Sequence, residues 1–169
     1  MDTVWGKEFQ ERMDGFSRRL RSEDSGVPIS IKVRVTSGCF HQEHSPRAYE
    51  VIERSLARAA KPDFEYVPHE SGPELLVFLA VATAGITLAK SIIDLITTII
   101  KARSEGIKKG DQPSDPLELI VRRVDETRQV KEEIVLRIGH REPVDAKIIE
   151  KQLTEALQRL TDKRGNRDS

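Results

Sequence analysis

The chain has 169 residues, enough for one ordinary domain with a hydrophobic core, and its 28 basic and 28 acidic side chains balance. This balance argues against nucleic acid as a partner, because a nucleic-acid-binding domain normally has a clear basic excess or a basic stripe. A single cysteine excludes an internal disulfide framework, and the charged start of the sequence lacks the basic-then-apolar order of a signal peptide, so we expect a cytoplasmic protein.

Residues 1–24 are expected to form an amphipathic helix followed by a linker. Apolar residues recur there at a spacing of roughly three to four, with charged residues between them, at Val4, Phe9, Met13, Phe16 and Leu20. The run from Ser22 to Pro28 behind them is typical of a linker. Two interpretations stay open for this helix: it packs on its own domain, or it is an arm that docks onto a partner.

A strand, a helix and a short strand are expected next. Residues 29–35 alternate apolar and polar side chains, which is typical of a half-buried strand. Ser45 and Pro46 are suited to the N-cap and the first turn of a helix that runs to about Ala60. Residues 64–67 contain aromatic and β-branched side chains and are expected to form a second strand.

Residues 75–102 are expected to form one long, very apolar central helix. No charged side chain occurs in residues 75–89, and the second half is amphipathic, with Lys90 and Asp94 among isoleucines. A membrane span needs roughly 20 apolar residues, and each of these charges would cost about 2.5–3.5 kcal/mol at the bilayer centre. A buried core helix is therefore favoured, and a membrane anchor formed by residues 75–100 is kept as an alternative.

The C-terminal third is expected to complete a sheet. Residues 117–123 and 133–138 alternate in polarity and are joined by a polar stretch, which predicts an antiparallel hairpin. Asp145 is suited to cap a last helix, and residues 161–169 are expected to form a flexible tail. The element order favours an α+β fold, with a small sheet of about four strands covered by helices and residues 28–160 as a single domain.

Two loops contain side chains that suit a metal or a nucleophile. Cys39, His41 and His44 lie in one loop and His69 in another, and cysteine and histidine are suited to Zn²⁺. Cys39 with a neighbouring histidine would also suit a nucleophile pair. The spacing specifies no known site, and the sequence has no glycine-rich phosphate loop. We therefore assign no catalytic, cofactor-binding or metal-binding residue and expect a protein that is not an enzyme.

Three short sequence stretches lie at the ends of predicted helices and strands, in an order that is also found in a known family. They are Arg54-Ser-Leu-Ala-Arg58, His69-Glu-Ser-Gly-Pro-Glu74 and Ile99-Ile-Lys-Ala-Arg103. With the strand before them and the hairpin and helix after them, residues 28–160 resemble the effector-associated constant component domains of bacterial and archaeal conflict systems. The resemblance implies a non-catalytic adaptor or regulatory part of a multi-protein system.

From the sequence we therefore predict a non-catalytic protein-interaction or adaptor module of a prokaryotic multi-protein system. It is expected to bind a protein partner or a second copy of itself through its apolar helices, because exposed apolar surface marks interfaces, and to bind no nucleic acid. The alternatives are a small membrane-anchored protein that uses residues 75–100, and a metal-binding or cysteine-dependent enzyme that uses Cys39, His41 and His44.

Overall fold

A computed structural model of the chain describes residues 4–20, 26–36, 42–58, 64–67, 74–82, 90–113, 116–125 and 127–161. These residues form an α+β fold whose elements, in chain order, are α1 (Val4–Leu20), β1 (Gly26–Val35), α2 (Pro46–Arg58), β2 (Phe64–Val67), β3 (Glu74–Ala82), α3 (Lys90–Lys108), β4 (Leu117–Val124), β5 (Val130–Ile138) and α4 (Ala146–Thr161). The flexible tail expected over residues 161–169 lies outside the described residues from residue 162 onward.

The strands form one antiparallel sheet in the order β2-β3-β1-β4-β5. β1 lies at its centre and pairs with β3 on one side and with β4 on the other. β4 and β5 form the C-terminal hairpin, which begins at the pair Leu117 and Ile138 and closes at the pair Val124 and Val130. The expected strand 29–35 and the expected hairpin are therefore confirmed, because both sequences alternate with the period of two of a strand. The expectation that strand 29–35 is only half-buried is wrong, because Ser30 and Lys32 on its polar face are buried as well.

The prediction of one long helix over residues 75–102 is wrong for the first half of that segment. Residues Glu74–Ala82 form β3, which lies between β2 and β1 and pairs with both, whereas α3 begins only at Lys90. A strand with neighbours on both sides can be apolar throughout, so an uninterrupted apolar run does not distinguish a strand from a helix. The sheet consequently has five strands and not about four.

The membrane-anchor alternative required a continuous helix over residues 75–100, and that helix is not formed. Among the helices that the structure describes, none has both the length and the apolar character needed to cross a membrane.

The main core lies between one face of the sheet, here called the inner face, and helices α2, α3 and α4. The alternation of the strands and the amphipathic stripes of the helices direct apolar side chains to this layer. Its buried members include Ile29, Ile31, Val33 and Val35 of β1, Leu117, Leu119 and Val121 of β4, Ile52 of α2, Ile92, Ile96 and Ile99 of α3, and Ile149, Leu153 and Leu157 of α4.

The N-terminus of α2 is capped by a carboxylate that follows α3. Asp111 accepts the backbone N–H of Arg47 at 3.1 Å through Oδ1 and that of Ala48 at 3.0 Å through Oδ2. Gly110, with a φ of 112°, turns the chain after α3 so that Asp111 points back towards α2. A Cβ added at Gly106 would lie 2.1 Å from Asp111 Oδ2, so only glycine fits where α3 passes this cap.

Candidate functional site

The face of the sheet opposite the main core, here called the outer face, carries polar and charged side chains. Ser30 and Lys32 of β1 and Glu118 and Arg122 of β4 alternate with the inner-face residues of their strands. All four are buried, and Arg122 is 0% exposed. Buried charges of this kind need partners or a covering layer.

Helix α1 covers part of the outer face through a single apolar stripe. Phe9, Met13 and Phe16 are spaced four and three residues apart, which places them on one side of the helix, and all three are buried. They pack against Val124 and Val130, the residues that close the β4–β5 hairpin. This small cluster is separate from the main core, so α1 is attached to the domain without being part of its central packing.

The hairpin turn supplies a second attachment for α1 through Arg128. The Arg128 guanidinium donates two hydrogen bonds to the carboxylate of Asp14, both at 2.9 Å, and the Arg128 carbonyl accepts one from Gln10 Nε2 at 2.7 Å. Arg128 has a φ of 65°, a left-handed conformation that is uncommon outside glycine, asparagine and aspartate.

Asp125 holds that turn in place. Its Oδ1 accepts hydrogen bonds from the backbone N–H groups of Thr127 and Gln129, both at 2.9 Å, and from the Thr127 hydroxyl at 2.7 Å. These bonds, the Thr127 hydroxyl first, lower the pKa of the Asp125 carboxyl below its ordinary value. The left-handed residue Arg128 is thus fixed by a network of side-chain-to-backbone bonds and presents both its carbonyl and its guanidinium to α1.

Electrostatic attraction strengthens this attachment at neutral pH. The hydrogen bonds from Arg128 are the largest influence on Asp14, and they lower the pKa of its carboxyl. The same contact raises the pKa of the Arg128 guanidinium. Both side chains are about half exposed, at 46% for Asp14 and 55% for Arg128, so the ion pair is screened by solvent and its contribution is modest.

An aromatic ring of α1 covers one of the buried cations. The guanidinium of Arg122 lies 4.2 Å from the centroid of the Phe9 ring, which is a cation–π arrangement. Phe9 is 0% exposed, so detaching α1 from the sheet would expose both the ring and the arginine to solvent.

A charged triad crosses three strands on the outer face. In the strand register, Glu118 of β4 is opposite Arg34 of β1 and Arg137 of β5. Glu118 Oε1 accepts a hydrogen bond from Arg34 Nε at 3.1 Å, and Oε2 accepts one from Arg137 Nε at 2.9 Å. Burial alone would raise the pKa of Glu118, but the two arginines outweigh it and the pKa is lowered. The carboxylate is nearly inaccessible, whereas Arg137 is 63% exposed at the sheet edge.

The loops that were candidates for a metal or a nucleophile are described only in part. His44 is exposed, and its backbone carbonyl accepts the N–H of Gln112 at 3.0 Å. Cys39, His41 and His69 lie outside the described residues. Within the described part of the chain, no group of three or more histidine, cysteine, aspartate or glutamate side chains is placed to hold a metal ion. The metal and cysteine alternatives stay predictions.

Sequence reasoning named the apolar stripe of α1 but not the residues that receive it. Val124 and Val130 flank a polar turn that contains Arg128 and has no recognisable motif, and Asp14 is 114 residues away from Arg128 in the chain.

No protein-family model, curated protein or solved structure matches this chain, so its function has to be inferred from the arrangement of these residues.

Proposed function

We propose that this chain is a non-catalytic adaptor module that assembles by exchanging α1 between copies across the outer face of the sheet. The observation that carries the proposal is the attachment of α1 through a cluster of its own, separate from the main core. Releasing the helix leaves the packing between the inner face and α2, α3 and α4 untouched. The outer face then offers a ready surface for an identical helix.

A second copy is the occupant that fits this surface with no change of sequence. It carries the same three apolar side chains for Val124 and Val130, and the same Asp14 and Gln10 for Arg128. Exchange between copies keeps every one of these contacts and alters only the path of residues 21–25, which connect α1 to β1. Exchange of an identical element is a low-cost route to a dimer.

The balance between the closed monomer and the exchanged dimer depends on local concentration. Burial of Phe9, Met13 and Phe16 stabilises the helix by about 1.5–3 kcal/mol per side chain before ordering costs are subtracted. A short connection gives α1 an effective concentration of roughly millimolar order at its own sheet. Exchange between copies can therefore compete with binding of α1 to its own sheet when the concentration of copies reaches a similar value, as it can in a multi-protein assembly. Such an assembly is the setting that the resemblance to effector-associated constant component domains implies. A cytoplasmic location is part of the same proposal.

Complementary charge reversal tests the proposal. The Asp14→Arg chain and the Arg128→Asp chain each place like charges at the α1 contact in the closed monomer, and each should be a monomer with a loosened helix. Mixed at equal amounts, they should form a one-to-one dimer, because exchange restores one opposite-charge pair at each sheet. Light scattering after size-exclusion chromatography measures the mass.

The control chain carries both substitutions, which restores an opposite-charge pair within one molecule and should weaken the preference for a partner. Deletion of residues 1–22 from both members of the mixture should abolish the dimer, because no copy then carries α1. If the mixed single variants elute as two monomers at about millimolar concentration, where exchange should compete, exchange through α1 is excluded.

A further inference from the structure

The turn that closes the β4–β5 hairpin has an arginine at a position that normally favours glycine. The N–H of Asp125 donates to the carbonyl of Gln129 at 2.8 Å, and the N–H of Arg128 donates to the carbonyl of Asp125 at 3.1 Å. A short hairpin loop of this kind ends on a residue in the left-handed region, which glycine adopts without steric strain. Among the described residues, Arg128 is the only one other than glycine with a positive φ, and its Cβ destabilises that conformation.

The turn itself does not use the arginine side chain. Its hydrogen bonds run from the carboxylate of Asp125 to the hydroxyl and N–H of Thr127 and to the N–H of Gln129. Glycine supplies the same backbone N–H and carbonyl as arginine. A residue held in an unfavourable conformation, where a better suited one exists, indicates a function for its side chain.

The Arg128 guanidinium is used by α1. Its two terminal nitrogens donate to the two carboxylate oxygens of Asp14, each at 2.9 Å, which is the bidentate arrangement that arginine forms with carboxylates. Both side chains are about half exposed, so water and salt reach the ion pair. The stripe of Phe9, Met13 and Phe16 is buried and is not open to solvent in this way. The ion pair is therefore the part of the α1 attachment on which ionic strength acts.

We infer that Arg128 is a releasable latch for α1, which holds the helix through Asp14 at the expense of the stability of its own turn. The latch is sensitive to ionic strength, because salt screens the attraction between exposed charges. The inference rests on the attachment of α1 that the proposed function uses, and not on exchange between copies. It is therefore tested on the dilute monomer, whereas exchange is tested by the mass of the concentrated mixture.

Hydrogen exchange of the α1 amides, measured on the dilute full chain by mass spectrometry, reports release of the helix. Arg128→Gly should quicken this exchange about two- to fivefold at low salt, as expected for loss of an exposed ion pair. Asp14→Asn should quicken it by the same factor, and the double variant should add nothing further. Glu11→Gln is the matched control, because Glu11 is an exposed carboxylate of the same helix, and it should leave the exchange unchanged.

Salt distinguishes a latch from a purely structural contact. In the wild-type chain, exchange of the α1 amides should quicken as salt rises from low concentration to about 1 M, where charges are screened within a few ångströms. It should then approach the exchange of Arg128→Gly, which lacks the ion pair. A difference between the two chains that is the same at low and high salt would overturn the inference.

Arg128→Ala tests the strain in the turn. It lacks the guanidinium, as Arg128→Gly does, but keeps a Cβ in the left-handed region. The two variants should release α1 equally, whereas the equilibrium constant for unfolding in urea should be about threefold or more smaller for the glycine variant. Equal stability of the two variants would show that the arginine does not strain its turn. Unchanged α1 exchange in Arg128→Gly, or equal quickening by Glu11→Gln, would show that it does not hold the helix, and each of these results overturns the inference.

Discussion

Replacing Gly106 with alanine should destabilise the domain by displacing the cap of a different helix. The added Cβ would lie 2.1 Å from Asp111 Oδ2 and 3.0 Å from the backbone nitrogen of Ala48. The carboxylate has to move, and it then loses its hydrogen bonds to the first N–H groups of α2. The effect is therefore expected at the contact between Gly106 of α3 and Ala48 of α2.

The size of the effect follows from the contacts that are lost. Removing an N-cap side chain costs about 0.5–2 kcal/mol, and a hydrogen bond to a charged group is worth about 1.5–3 kcal/mol. Both figures describe the same bonds, so losing the Asp111 cap should cost about 1.5–3 kcal/mol and not their sum. Alanine regains about 1 kcal/mol of helix propensity relative to glycine. The net destabilisation by Gly106→Ala should therefore be about 0.5–2 kcal/mol.

A double-mutant cycle in urea, followed by circular dichroism, separates this explanation from ordinary crowding. In an Asp111→Ala background the carboxylate is absent and only the 3.0 Å approach to the Ala48 nitrogen remains, so Gly106→Ala should cost clearly less than in the wild-type chain. Gly15→Ala in α1 is the matched control, because the nearest atom to its Cβ is the flexible end of Arg18 at 4.0 Å. If Gly106→Ala costs the same with and without Asp111, to within about 0.5 kcal/mol, the reasoning is refuted.

Two further predictions concern the outer face. Asp14→Asn should lower the free energy of unfolding by about 0.2–1 kcal/mol at neutral pH, the range for an exposed pair. Arg128 holds the pKa of Asp14 in the folded chain below its ordinary value of 3.8. The ion pair therefore stabilises the folded state fully above pH 3.8, and this stabilisation is lost as the pH falls through the folded pKa. In urea unfolding, the free energies of unfolding of the wild-type and Asp14→Asn chains should converge in acid. A difference between them that persists to pH about 2 would contradict a stabilising ion pair between Asp14 and Arg128. Glu118→Gln should cost about 1–3 kcal/mol, since its two arginines lose a buried carboxylate. Glu150→Gln, at an exposed position of α4, should change stability by less than about 0.5 kcal/mol. Equal effects of these two glutamine substitutions would show that the triad does not stabilise the sheet.

The elements that could be predicted from the sequence are those whose period is visible locally. Residues 29–35 and the hairpin strands alternate because only one side of each strand meets the main core. β3 pairs with a strand on each side, and its nine residues contain a single charge, Glu74, so the sequence offers no period by which to recognise a strand.

Contacts between distant residues could not be predicted from one sequence. The stripe Phe9, Met13 and Phe16 indicates a packed helix, but nothing in the pattern identifies the hairpin turn as its receptor. The cap from Asp111 to α2 likewise joins residues 63 and 64 positions apart. Such contacts depend on how the elements come together in space, which local propensity does not encode.

The separation of α1 from its receptor has a consequence for synthesis of the chain. Asp14 and Arg128 are 114 residues apart, so at roughly 5–20 residues per second α1 waits about 6–23 s before the turn that binds it has been made. The apolar stripe packs against Val124 and Val130, which are made with the turn, so during that interval α1 can contact only strands made earlier, β1 and β3. The order of translation therefore leaves part of the stripe without its native neighbours until the β4–β5 turn has been made.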